Sequence, residues 1–250
     1  MLKNRMMGYA VAVATICLNY TVYYYIARHY QVSSPHFVAM LLISALVIHE
    51  IGHLITMEAS GIPSFMVFLV VLGGAAPLPI KGNVDKLKKL TCERLSVIML
   101  AGVTGNLLMI MGGYFFYRHG DLSWRHFVSL VNLNAIVIFW NTLPVWKFDG
   151  HRFTKCLFDS IDTNRDTKYE IGLILVFALL SILMLIITRK FDIFNFVLFL
   201  WGIHFQANHH DRLPDKLKIP VSHQVWWAGY YLVLMCLALV LVCLTPTWYK

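Results

Sequence analysis

A chain of 250 residues that is 58% hydrophobic and only 14% charged falls well short of the roughly 25% charged residues of a soluble domain, which points to a polytopic membrane protein. A formal net charge of +8 does not indicate nucleic acid, because the basic residues are spread among interhelical segments, where membrane topology accounts for them. The cysteines Cys17, Cys92, Cys156, Cys236 and Cys243 form no Cys-x-x-Cys pair, so they indicate neither a disulfide framework nor a thiolate zinc site.

Lys3 and Arg5 precede an apolar run that continues from Met7 to Ile26. The run is too long, and its early Ala-x-Ala too near its start, for a cleaved signal peptide; the reading is an uncleaved first span. His36–Met57 is the second span and carries His49-Glu50-Ile51-Gly52-His53. Histidines four apart share one helix face, so both imidazoles can bind one zinc ion while Glu50 acts as a base on water. Ionisable groups at membrane depth cost about 2–4 kcal/mol or more and are functional candidates by default. A structural histidine pair would need no acid between its members.

Ile62–Ile80 is apolar but interrupted by Pro63, Pro77, Pro79 and Gly73-Gly74, which predicts a short hairpin or re-entrant segment rather than a crossing helix. Further spans are predicted at Leu95–Tyr117, Phe127–Trp146, Ile171–Thr188 and Val225–Leu244, each long enough to cross about 30 Å of hydrocarbon. Phe191–Phe205 is shorter and reads as a thin span or re-entrant piece. The fold class is thus an all-α polytopic membrane protein of about six or seven transmembrane helices, with a short membrane-associated β-hairpin after the second. The chain reads as one metalloprotease domain over 1–250, with the core motifs in 36–158 and accessory helices in 170–250.

With seven spans and an inner N-terminus, fifteen basic residues fall on inner segments and six on outer ones, as the positive-inside rule requires. This predicts a cytosolic N-terminus, with a plasma-membrane location. The second and fourth spans both run outside to inside. His53 and Asp149, in Asn141-Thr142-Leu143-Pro144-Val145-Trp146-Lys147-Phe148-Asp149-Gly150, then arrive on the same side.

A catalytic zinc keeps three protein ligands and an open position, so two histidines leave one ligand to find. Asp149 is the best candidate, against the plainer reading of a solvated helix-end residue. Pro144 should interrupt the helix and Gly150 should permit a turn. Asn141 could bond a substrate backbone or developing oxyanion, or simply bridge helices. His204, His209, His210 and Asp211 read first as a wet interfacial loop and second as a metal or regulatory site. Trp226, Trp227, Tyr230 and Tyr231 read as an aromatic belt. Lys86–Lys89 reads as a topology signal with secondary contact to anionic lipid.

These residues resemble the site-2 proteases, intramembrane zinc metalloproteases. His49–His53 is followed by Ala59 and Gly61, as that family's first motif continues. Gly102-Val103-Thr104-Gly105-Asn106 looks like its Gly-x-x-x-Asn element, with Val103 where Pro is common. Asn141-x-x-Pro144-x-x-x-x-Asp149-Gly150 is similar to its second metal motif throughout. The resemblance covers roughly Met7–Phe158. It implies one Zn2+ per chain on His49, His53 and Asp149, with Glu50 as the catalytic general base. It further implies that Asn141 helps hold the scissile region and that the stretch around Gly73–Gly74 presents a strand edge to substrate. The implied partners are the lipid bilayer and a single-span membrane-protein substrate, with no nucleic acid; the chain looks like a compact member without a PDZ domain. Two alternatives are a non-proteolytic metal-binding membrane protein or transporter, and an idle family member. The first would favour inverted repeats and a polar path, and the second loss of Glu50 or a ligand.

Overall fold

In α2, Pro35–Ala59, the buried positions Ala39, Ile43, Leu46, Glu50, His53 and Met57 follow one another at alternating steps of four and three. That spacing is a helix stripe, and His49 lies beside it. Pro35 opens the helix, where its missing N–H removes no bond. The far end closes at Gly61, whose φ of +74° lets the chain reverse. There Ile62 N–H donates to Met57 O and Gly61 N–H to Glu58 O, a Schellman termination in which Met57 and Ile62 are both buried.

The protein is described here from a computed structural model, which covers residues 2–29, 31–32, 34–69, 74–79, 89–143, 148–161, 186 and 218–244. The elements are α1 (Leu2–His29), α2, β1 (Ser64–Leu69), β2 (Gly74–Pro79), α3 (Cys92–Arg118), α4 (Trp124–Thr142), α5 (Asp149–Ile161) and α6 (Val221–Leu244). β1 and β2 pair antiparallel, from Ser64 opposite Pro79 to Leu69 opposite Gly74. Apart from Ile186, the expected spans Ile171–Thr188 and Phe191–Phe205 lie outside the described residues, as do His204, His209, His210 and Asp211.

Four described helices are long and apolar enough to cross a membrane: Gly8–His29, Pro35–Ala59, Cys92–Arg118 and Val221–Leu241. Their outward faces carry large apolar side chains such as Leu18, Ile55, Leu108 and Val233, a surface suited to lipid rather than water. α4, expected as a further span over Phe127–Trp146, is helical only to Thr142 and is not among these four. Arg125, His126 and three asparagines dilute its apolar character.

The chain forms two compact units. The first gathers α1, α2, the strand pair, α3 from Ala101 onward and α4 as far as Val137. Its core packs Ala12 of α1 with Ala45 and Leu46 of α2 and Val137 of α4, flanked by Ile16, Leu42 and Met109. Small residues let these backbones approach, which is how helices gain packing energy where no hydrophobic force separates protein from solvent. The second unit holds Cys92–Leu100 of α3, the end of α4, α5 and α6. Within it, Phe153 of α5 stacks on Tyr231 of α6 with ring centres 4.7 Å apart.

Candidate metal centre

His49, Glu50 and His53 are each at least 96% buried, and one ligand atom from each lies within 4.8 Å of the other two. The two Nε2 atoms are 3.1 Å apart. Nitrogens about 2.0–2.1 Å from one tetrahedral zinc stand about 3.3 Å from each other, so this spacing fits two ligands of a single ion.

A hydrogen-bond chain fixes the chemistry of His49. Asn106 Nδ2 donates both protons, to Ala45 O at 2.8 Å and to Asn134 Oδ1 at 2.9 Å. Asn134 Nδ2 in turn donates to Leu130 O at 2.9 Å. Flipping the Asn106 amide would set oxygen against the Ala45 carbonyl, so its Oδ1 faces His49 and must accept. His49 Nδ1 therefore carries the proton, donated to Asn106 Oδ1 at 2.8 Å. Nε2 is left with its lone pair, as a metal ligand needs. Asn106 and Asn134 are wholly buried, where an unmade hydrogen bond would cost about 1–3 kcal/mol.

Glycines bring α3 onto this site. A Cβ on Gly52, between the two histidines, would collide with Ala101 O of α3. One on Gly105 would stand 2.9 Å from Ile48 O. One on Gly102 would lie 2.5 Å from His53 Nε2 and 2.6 Å from His49 Nε2. Gly102 thus lets the α3 backbone approach the two nitrogens, and Gly102 and Asn106, one helical turn apart, address the two sides of the His49 ring. The His49 Nε2 lone pair, a second imidazole nitrogen 3.1 Å from it and a buried carboxylate beside them are a donor set that suits a borderline ion such as zinc.

The second sequence motif belongs to the other unit. α4 ends at Thr142, two residues before Pro144, and Asn141 lies half-buried in its last turn. Asp149 was expected at the close of the fourth span. It instead opens a separate amphipathic helix, α5, and is half-buried there. Gly150 is also helical, with no left-handed φ. It is needed for close approach rather than for a turn, since a Cβ there would meet the Thr142 and Leu143 carbonyl oxygens. Tyr231 of α6 donates its hydroxyl proton to the same Thr142 O, a carbonyl left over where the helix stops.

The aromatic group that opens α6 therefore divides. Trp227 and Tyr231 are buried against Phe153, whereas Trp226 and Tyr230 stack on each other, 5.6 Å between centres, with Trp226 exposed. Asn134 carried no distinguishing mark in the sequence beyond being an asparagine in an apolar helix. No protein-family model matches the chain, and no curated protein matches it.

Proposed function

We propose that the chain is an intramembrane zinc metalloprotease, as its motifs resemble, hydrolysing a peptide bond in or near the transmembrane segment of a single-span membrane protein. The observation that carries this reading is the convergence of the His49 and His53 Nε2 atoms 3.1 Å apart, beside buried Glu50, in a helix apolar enough to cross a membrane. In this reading Asp149 is the third ligand. A zinc ion in such a site supplies Lewis acidity toward water and the scissile carbonyl.

The chain's own residues then divide the remaining work. Glu50 accepts a proton from the attacking water and returns it to the leaving amine. Asn106 holds His49 in the tautomer that presents Nε2. Asn141 hydrogen-bonds the substrate near the scissile bond. A helical substrate hides its carbonyls in its own bonds, and the β1–β2 pair offers a strand edge that compensates for local unwinding. The active site opens toward the cytosolic side of the plasma membrane.

The test is incubation of purified protein with a tagged single-span substrate, comparing wild type with Glu50→Gln. Cleavage by wild type alone, with zinc retained by both, is the expected result. Zinc retained with no cleavage of any membrane substrate would favour the metal-binding or transport reading instead.

A further inference from the structure

α3 and α4 meet where Gly113 faces Leu130, close enough that a Cβ would lie 2.9 Å from the leucine methyl. The same two helices form an open groove of about 500 Å³, lined by Ile110, Met111, Tyr114, Phe115 and Arg118 of α3 and by Phe127 of α4. Met111, Tyr114 and Phe115 are 65%, 52% and 59% exposed. Such a lining is unsuited to water and suited to a hydrocarbon chain.

One end of the groove carries the kind of aromatic residues that favour a membrane–water boundary. Tyr117, Trp124 and Phe127 form a ring cluster there, with Tyr117 centred 5.3 Å from Trp124 and 5.4 Å from Phe127. Tyrosine and tryptophan concentrate at the headgroup level. The connection that follows α3 is polar, with His119, Gly120, Asp121 and Ser123. Arg118, the last residue of α3, is exposed at this level, and no ion pair to it is present among the described residues. An apolar trough that ends in a guanidinium matches an amphiphile with a hydrocarbon tail and an anionic head.

We propose that this groove binds one anionic phospholipid, with an acyl chain against Met111, Tyr114, Phe115 and Phe127 and the phosphate on Arg118. The inference stands apart from the proteolytic reading, because none of these residues belongs to the candidate metal centre. Arg118 supplies selectivity for net negative charge, and the groove supplies retention.

The experiment is native mass spectrometry of the full chain released from detergent after equilibration with dioleoylphosphatidylglycerol or dioleoylphosphatidylcholine. Wild type should retain one phosphatidylglycerol per chain in preference to phosphatidylcholine. Arg118→Gln should reduce that preference about fivefold, the typical effect of one basic residue near an anionic surface. Met111→Trp, which fills the groove, should lower retention of both lipids, and excess inorganic phosphate should not displace the lipid. Equal retention of the two lipids by wild type, or unchanged retention in both variants, would overturn the proposal. So would full displacement by inorganic phosphate, which would leave a simple anion site, or a dimer abolished by Met111→Trp, which would make the groove a self-association surface.

Discussion

Asn106 accepts a hydrogen bond from His49 Nδ1 at 2.8 Å while both of its own amide protons are committed to Ala45 O and Asn134 Oδ1. Its orientation is fixed from three sides, and through it so is the tautomer of an imidazole on another helix.

Replacing Asn106 with leucine removes the acceptor and frees His49 to adopt the other tautomer. Zinc affinity should fall about ten- to a hundredfold, the usual cost of losing an outer-shell partner. Competition with a chromophoric chelator measures it. Asn134→Leu should give a smaller loss in the same assay, because Asn106 keeps its bond to Ala45. Wild-type affinity in both variants would show that the amide chain does not control the ligand.

Gly102→Ala places a methyl group 2.5–2.6 Å from the two Nε2 atoms. The rings would have to turn away from each other, so zinc content should drop to a small fraction of wild type while the helices remain. Gly112→Ala, on the same helix with nothing within 4 Å of its would-be Cβ, is the matched control and should keep full occupancy. Elemental analysis of the two purified proteins decides the matter.

The seam between α2 and α3 should be equally intolerant at Gly52. A methyl group there meets the Ala101 carbonyl, which is backbone and has no rotamer to give. Overpacking of this kind costs about 1–3 kcal/mol, and thermal unfolding in detergent should show a lower midpoint for Gly52→Ala than for wild type. An unchanged midpoint would mean the helices separate at no cost.

Asp149→Asn tests the proposed third ligand. A neutral amide oxygen is a poorer donor than a carboxylate, so zinc should be weakened and proteolysis lost. Asp149→Glu should keep more metal than activity, since displacements of about 1 Å are enough to impair catalysis. Normal zinc content and normal cleavage in Asp149→Asn would return Asp149 to a helix-end residue without a metal role.

The helix of the candidate metal centre was legible because its signal is local. His49 and His53 are four apart, and the stripe through Ala39, Leu46 and Met57 orients the same face inward. The supporting shell was not legible, because its contacts join residues far apart in the chain: Asn106 lies 57 residues from His49 and 28 from Asn134. Their pairing depends on the register of three helices, which periodicity within one helix does not contain. Gly52 and Gly102 read as part of motifs, but only the approach of α3 shows what each makes room for.

Helix boundaries near Pro144 were legible only in part. Pro144 predicts an interrupted helix, and α4 does stop at Thr142, two residues before it, but the sequence did not show that Asp149 starts a new helix. The buried half of the α6 aromatics was equally hidden, since Tyr231 and Tyr230 are neighbours in sequence and only packing against Phe153 separates their roles.

The closure of α2 at Gly61 bears on how deep the candidate metal centre can sit. Helix ends ordinarily seek water, because their last carbonyls lack partners. Here the carbonyls of Thr56, Met57 and Glu58 already accept bonds from Ser60, Ile62 and Gly61, and the Glu58 carboxylate takes the N–H of Ser64 at 3.2 Å. The backbone of this terminus therefore asks little of water, and the group there that does need a polar surrounding is the exposed Glu58 carboxylate. His53, five residues earlier on the same helix, lies about 7.5 Å of helix rise from that charge.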